Sequence, residues 1–307
     1  MRNYLTNILS NRMISLLLSI FISVVLLINF RIFPRFRVNT FQAIVFNYPV
    51  CFATGLLLMP ENQHFSLDFS QTWTWLALLL GVGFIVTFML SGLSTQKMGM
   101  TATSVANNIS LVIPVLFSLF IFKSNDRPFD FFNYLGLALA LIAVLLSTYK
   151  PSETEGIQWR YVLLPLAVFV MYGFTNTMIN YLNINYITQS DATIPVTLVM
   201  VLGAVITGVV LLIFRLITGK ERIEKQNLIA SITLGVPNFL SFYFLIRTLS
   251  EFKNNGAIVY PIYNIGVIFV SALVAILFFK EKLLTINKIG LGLSIVAIGL
   301  ISYQYLF

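Results

Sequence analysis

Apolar residues run through the chain in ten nearly unbroken stretches, at 13–30, 38–58, 72–96, 99–123, 129–149, 159–183, 190–214, 228–250, 255–279 and 284–306. Each is close to the roughly 20 residues that a helix needs to cross a bilayer. The stretches are continuously apolar and do not alternate every second residue, which selects helices over the strands of a membrane barrel. Between them the chain turns polar. "RIFPRFR" is basic and holds Pro34, "MPENQHFSLDFS" and "KPSETEGIQ" are polar, and "TGKERIEKQN" is a charge run that reads as a solvated connector. No connector is long enough to fold alone. The first stretch follows Arg2 and Arg12 but leads into "INFRIFPRF" without a small-x-small cleavage site, so it reads as a retained helix and not as a secretory signal.

Composition agrees. Of 307 residues, 58% are hydrophobic and 10% charged, against roughly 25% charged in soluble domains. The net charge of +8 is spread over the ends of the stretches with no basic arm. That distribution fits anionic headgroups and topology signals better than nucleic acid. Cys51 stands alone inside the second stretch and His64 alone in a connector. One Cys and one His supply no disulfide and no metal cluster, and no cofactor is expected.

Two stretches nearly repeat each other. "NYLGLALALIAVLLSTY", residues 133–149, lies over "NKIGLGLSIVAIGLISY", residues 287–303, at an offset of 154. Gly136 meets Gly290, Leu137 meets Leu291, Leu139 meets Leu293, Ala143 meets Ala297 and Tyr149 meets Tyr303. The fourth and ninth stretches match at 157, with Gly99 over Gly256, Asn107 over Asn264 and Lys123 over Lys280. The third and eighth share Leu80–Val82 with Leu234–Val236 and Phe88 with Phe242; the second and seventh share Thr54–Gly55 with Thr207–Gly208. Apolar helices coincide by chance, so one pair carries little. Four pairs in one order at nearly one offset read as a five-helix unit used twice, over residues 1–150 and 151–307. A unit with an odd number of passes starts its second copy from the opposite side of the membrane. The expected fold is therefore an all-α polytopic membrane protein, with ten transmembrane helices as two inverted five-helix repeats around a central cavity. Such repeats recur in alternating-access transporters.

This five-plus-five pattern resembles the drug/metabolite transporter superfamily, specifically its EamA-like members. The resemblance rests on "LLLGVGFIVTFMLSGLSTQKMGMTATSVANNISLVIPVLFSLFIF" and on the segment from "GVPNFLSFYFLIRTLSEF" through "FFKEKLLTINKIGLGLSIVAIGL", with Glu281 after the ninth stretch and Gly290 entering the tenth. It covers nearly the whole chain and is weakest over the first and sixth stretches. It implies export or exchange of small metabolites through a cavity lined mainly by helices one to four and six to nine. One departure stands out: Lys123 and Ser124 occupy the places of Lys280 and Glu281, so the acid is missing from the first copy.

No Asp, Glu, Lys or Arg falls near the middle of any stretch. A proton-coupled exporter of lipophilic cations needs a buried carboxylate, so a multidrug exporter is a secondary reading. The polar groups that remain are amides and phenols: Asn29, Asn47, Asn107, Asn108, Asn176, Asn180, Asn238 and Asn264, with Tyr48, Tyr172, Tyr243, Tyr260 and Tyr263. Within hydrocarbon each needs a partner from another helix, water or a ligand. Tyr260 and Asn264 are four apart and share a helix face, and Thr103 and Asn107 repeat that spacing in the first copy. Pro114 and Pro261 each remove a backbone donor and permit a bend. The substrate-binding candidates are Asn29, Asn47, Tyr48, Asn107, Asn176, Tyr243, Tyr260 and Asn264, with interhelical bonding the competing role for each amide. Arg247, Lys253 and Lys97 flank equivalent turns and read as side chains snorkelling to headgroups.

Neutral hydrogen-bonding groups beside aromatics suit a small zwitterion or polar neutral metabolite, amino-acid-like. Phosphorylated cargo would want clustered Arg or Lys deep in the cavity. The expected function is secondary transport, by export or exchange; the alternatives are a flippase for a lipid-linked carrier and the multidrug exporter. An enzyme is not expected: Asp126 and Asp130 near Arg127 form a close acidic pair, and Asp130 suits a helix start. The partners expected are a small-molecule substrate and the lipid bilayer, with the chain acting as a monomer in a bacterial inner membrane. Orientation stays open. With the amino terminus inside, Arg2, Arg12, Lys123, Arg127, Arg247 and Lys253 face the cytoplasm and 13 of 19 basic residues face away. The positive-inside tendency thus favours the termini outside, and the resemblance favours them inside.

Overall fold

A computed structural model describes residues 2–61, 63–117, 130–149, 159–186, 193–219, 221–252 and 256–306. Every element among them is a helix: α1 (Arg2–Ile32), a 3-10 turn (Phe33–Phe36), α2 (Thr40–Leu57), α3 (Thr72–Lys97), α4 (Met100–Ile109), α5 (Val112–Phe117), α6 (Phe131–Thr148), α7 (Trp159–Tyr186), α8 (Thr193–Ile217), α9 (Lys225–Glu251), α10 (Gly256–Leu277) and α11 (Thr285–Leu306). Ten segments are long and apolar enough to cross a membrane, α4 and α5 together forming one of them. The surface tells the same story. Leu79, Val210, Ile213, Ile232, Phe269 and Leu145 are exposed, whereas Ala43, Asn47, Ala77, Ser94, Thr95, Ser104 and Ser271 are fully buried. An apolar exterior over an interior of small and hydroxyl side chains is what hydrocarbon solvent selects. The chain is a multi-pass integral membrane protein.

Two expectations are refined. The first helix begins at Arg2, well before the apolar stretch opens. The fourth stretch is not one continuous helix, because it breaks at Ser110–Leu111. The break has a local cause. Pro114 removes a donor and crowds the carbonyl four residues back, which belongs to Ser110. Ser110 meanwhile turns its hydroxyl (2.5 Å) and its N–H (3.3 Å) onto the Asn107 carbonyl. Pro261 stands five residues after the start of α10 at Gly256 and leaves that helix unbroken. Lys123, Ser124, Asp126, Arg127 and Lys253 lie outside the described residues.

The twice-written segment forms one helix pair. Asn133, at the start of α6, donates to the carbonyls of Leu300 (3.2 Å) and Ile301 (3.0 Å) at the end of α11. Asn287, at the start of α11, donates to those of Leu146 (3.0 Å) and Ser147 (3.3 Å) at the end of α6. Start meets end in both directions, so the two helices are antiparallel. The carbonyl oxygens of the same two amides accept from the backbone N–H three residues earlier, Asp130 and Leu284. Gly136 and Gly290 allow the close approach: a Cβ at Gly136 would lie 2.9 Å from the Ile301 nitrogen, and one at Gly290 would lie 2.5 Å from that of Ser147.

The other contacts also come in matched pairs. α2 packs on α9 and α3 on α8; α1 packs on α9 and α3 on α7; α1 packs on α10 and α4 on α7. Glycines mark two of these crossings. A Cβ at Gly81 would fall on the backbone of Gly203 and Ala204, and one at Gly235 on the Asn47 carbonyl and Val50. Successive passes place residues 33–39, 98–99, 218–224 and 278–284 on one face, here called distal, opposite the chain termini.

Candidate functional site

The eight candidate residues divide by what their polar atoms already hold. Asn29 is fully engaged. Its Nδ2 donates to the carbonyls of Val25 (2.9 Å) and Thr233 (3.1 Å), and its Oδ1 accepts from the Thr233 hydroxyl at 2.8 Å. Those bonds tie α1 to α9 and leave no donor for a solute. Tyr260 is 41% exposed, its ring lying against Gly256. Tyr243 is half-buried, edge-on to Phe244, and packs against the same core as Tyr48.

Asn47, Tyr48 and Asn264 are different. All three are buried, yet Asn47 Nδ2, the Tyr48 hydroxyl and Asn264 Nδ2 have no hydrogen-bond partner. An unmade bond at a buried polar atom costs about 1–3 kcal/mol, and the buried hydroxyls of Thr95 and Thr101 are in the same condition, so these atoms need an explanation. Their placement follows from the sequence. Asn47 and Tyr48 sit at the middle of α2, where Ala43 and Ile44 bury that face. Asn264 follows Tyr260 by one turn on α10 and is buried. Asn107 is half-buried beside the α4–α5 break, and Asn176 is half-buried on α7 between Thr175 and Thr177, whose hydroxyls bond their own helix.

Further groups join these across the interior. Asn238 of α9 donates to Asn47 Oδ1 at 3.3 Å. Ser23 of α1 and Tyr263 of α10 share a hydrogen bond of 2.7 Å, and Ser91 of α3 donates to the Tyr172 hydroxyl of α7 at 3.4 Å. Tyr172 lies within electrostatic reach of Tyr48 on one side and of Tyr263 on the other. Hydrogen bonds between polar side chains thus join α2 to α9, α1 to α10 and α3 to α7. Asn238, Tyr172 and Tyr263 are legible as polar residues of the spans but carry no feature that ranks them above the rest. Ser23 and Ser91 give no signal at all, since serine in a membrane helix ordinarily bonds its own backbone. The phenols and amides are neutral, and none of this group is a carboxylate or a cation.

Two cavities lie on the distal face. One, of about 290 Å³, is lined by Asn39, Gln42, Glu221, Arg222, Glu224 and Asn227. Its polar groups are engaged with one another: Glu221 accepts from Asn39 (2.8 Å), Gln42 (2.8 Å) and Arg215 (3.0 Å), and Asn227 donates to Gln42 at 2.8 Å. Arg215 also lies over the Phe41 ring, 4.0 Å from its centre. This network fastens the α8–α9 turn to the start of α2. The second cavity, of about 270 Å³, sits where the ends of α1, α3, α6 and α10 meet the start of α11.

No family model matches the chain. It is 24% identical over 298 residues to an uncharacterized protein of Haemophilus influenzae, covering 95% of this chain and 97% of that one. A solved protein crystal structure superposes with a TM-score of 0.58 at 12% identity, covering 92% of this chain and 95% of that chain. That likeness is one of fold.

Proposed function

We propose that this protein is a secondary transporter of the EamA-like branch of the drug/metabolite transporters, built as two inverted five-helix repeats and carrying a small zwitterionic or polar neutral metabolite by alternating access in a bacterial inner membrane. The observation that carries the reading is the set of buried, unpartnered donors at mid-membrane, Asn47 Nδ2, the Tyr48 hydroxyl and Asn264 Nδ2. Tyr48 follows Asn47 directly, Tyr260 lies one turn before Asn264, and the spans that hold them carry no charged residue near their middles. Neutral donors and acceptors satisfy a solute whose charges are internally paired, and they offer no counter-charge to a net ion. The repeat is supported by the antiparallel α6–α11 pair, whose matching asparagines bond each other's helix ends, and by packing partners that exchange between the halves. A helix interrupted beside the site, as α4–α5 is at Asn107, is a recurrent feature of such carriers.

The test is thermal unfolding of the purified protein in detergent across a panel of amino acids, related metabolites and lipid-linked carriers. Stabilisation by a zwitterionic solute is expected. Asn264→Ala should keep its fold and bind that solute about 3- to 10-fold more weakly, the loss of one hydrogen bond. Stabilisation by lipid-linked carriers alone would overturn the metabolite reading.

A further inference from the structure

The second distal cavity has a composition that the mid-membrane site lacks. Arg31, Lys97, Lys280 and Lys282 line it, with Glu281 as the one acid. Glu281 is committed elsewhere: its carboxylate accepts from the Met100 N–H at 3.0 Å and lies against Gly99, whose φ of 102° and lack of a side chain make room for it. That contact caps α4 with a negative charge, the sign its N-terminus favours. Lys280 and Lys282 are exposed and form no ion pair among the described residues. The cavity therefore keeps a cationic lining. Its wall also includes the apolar side chains of Met98, Phe279, Leu283 and Leu284.

This charge is not required to build the corner. The residues that shape it recur in both copies, Asn133 with Asn287, Gly136 with Gly290 and Gly99 with Gly256. Of the cationic positions only Lys280 recurs, as Lys123; the others do not. At the same offsets Lys97 corresponds to Glu251, Lys282 to Asn125 and Leu284 to Asp130. Beyond that shared lysine, one copy of the corner gathers cations where the other places an acid or an amide. A volume of about 270 Å³ equals that of roughly nine waters at 30 Å³ each, enough for a phosphodiester and a short polar headgroup. The position at the helix ends, cationic with apolar walls, matches the phosphate level of a leaflet.

We infer that this cavity binds the phosphodiester headgroup of an anionic phospholipid, with Lys280 and Lys282 pairing the phosphate, and with Lys97 and Arg31, whose guanidinium donates to the Thr95 and Gln96 carbonyls at 3.4 Å, in the wall. Occupancy links the α3–α4 turn to the α10–α11 turn from outside, beside the Glu281–Met100 bond. The site is independent of the solute the interior takes.

Melting of the full chain in neutral detergent, titrated with phosphatidylglycerol, phosphatidylcholine or inorganic phosphate, tests this. Phosphatidylglycerol should raise the midpoint saturably, and phosphatidylcholine should not. Lys280→Gln/Lys282→Gln should weaken the phosphatidylglycerol effect at least five-fold, and Lys282→Gln alone should weaken it less. Arg222→Gln/Lys225→Gln, equal in charge on the same face, should shift it less than two-fold. Equal losses in both double variants would reduce the effect to surface potential and overturn the site. Saturation by inorganic phosphate, with no further gain from the lipid, would overturn the lipid as its occupant. If the first double variant fails to fold, Lys282→Gln against Lys225→Gln makes the same comparison.

Discussion

The asparagines of this interior fall into two groups by their hydrogen-bond partners. Asn29 is held by α9 at two points, the Thr233 carbonyl and hydroxyl, so Asn29→Ala should cost about 1–3 kcal/mol of stability by removing that interhelical pair. Solute affinity should stay unchanged. Asn264 has a buried donor with no partner, so Asn264→Ala should behave in the opposite way, keeping its melting midpoint and losing affinity. Melting and binding measured on both variants check the distinction. Their sequence contexts look alike, an amide among aliphatics, which is why the amides are legible as a class but not by role. Asp130 adds a titratable element outside the membrane. The Tyr303 hydroxyl and the first amides of α6 donate to its carboxylate and hold its pKa below the usual carboxylate value. A lowered folded pKa gives stability that is complete above the ordinary carboxylate range and is lost as pH falls through the lowered value. Acid titration of the melting midpoint should therefore decline less steeply in Asp130→Asn than in the parent protein.

At the scale of elements, the repeated sentence near residues 133 and 287 finds its physical reason. The letters that coincide are those an antiparallel helix pair needs at both ends: an Asn that caps its own helix and clamps the partner's last carbonyls, and a Gly one turn on that lets the backbones touch. Gly290→Ala should destabilise by about 1–3 kcal/mol, because its methyl meets backbone that cannot rotate away. Gly292→Ala, with nothing within 4 Å of the added methyl, should be neutral or gain about 0.5–1 kcal/mol. Denaturation of the two variants side by side checks the contrast. The spans were legible because each is a continuous apolar run. The α4–α5 break was not, since Pro114 alone does not end a helix here: Pro49, Pro165, Pro237 and Pro261 all sit inside unbroken ones. Ser110 supplies the competing bond that turns a bend into an interruption. The missing acid at Ser124 also gains a meaning, because Glu281 caps α4 across the interface, a contact that no single helix reveals.

For the whole molecule, the pairing of helices between halves links the repeat to a mechanism. α1 with α9 and α10 answers α7 with α3 and α4, so the same packing serves either half. In the transporter proposed above, two equivalent arrangements of one packing scheme are the physical basis for opening first to one side and then to the other. The fastening of α2 to the α8–α9 turn through Glu221 lies on the distal face alone among the described residues. Glu221→Gln weakens a part-buried, charge-assisted network, so it should favour opening toward that face. Thiol-reagent labelling of distal-face positions should then rise relative to the parent protein.

The most direct measurement uses Asn264→Cys in a Cys51→Ala background, reconstituted with one orientation and exposed to a small membrane-impermeant thiol reagent from each side in turn. Alternating access at the mid-membrane site predicts labelling from both faces, suppressed on both by a solute that stabilises the protein. Labelling from neither face, or from one face only under every condition, would contradict it.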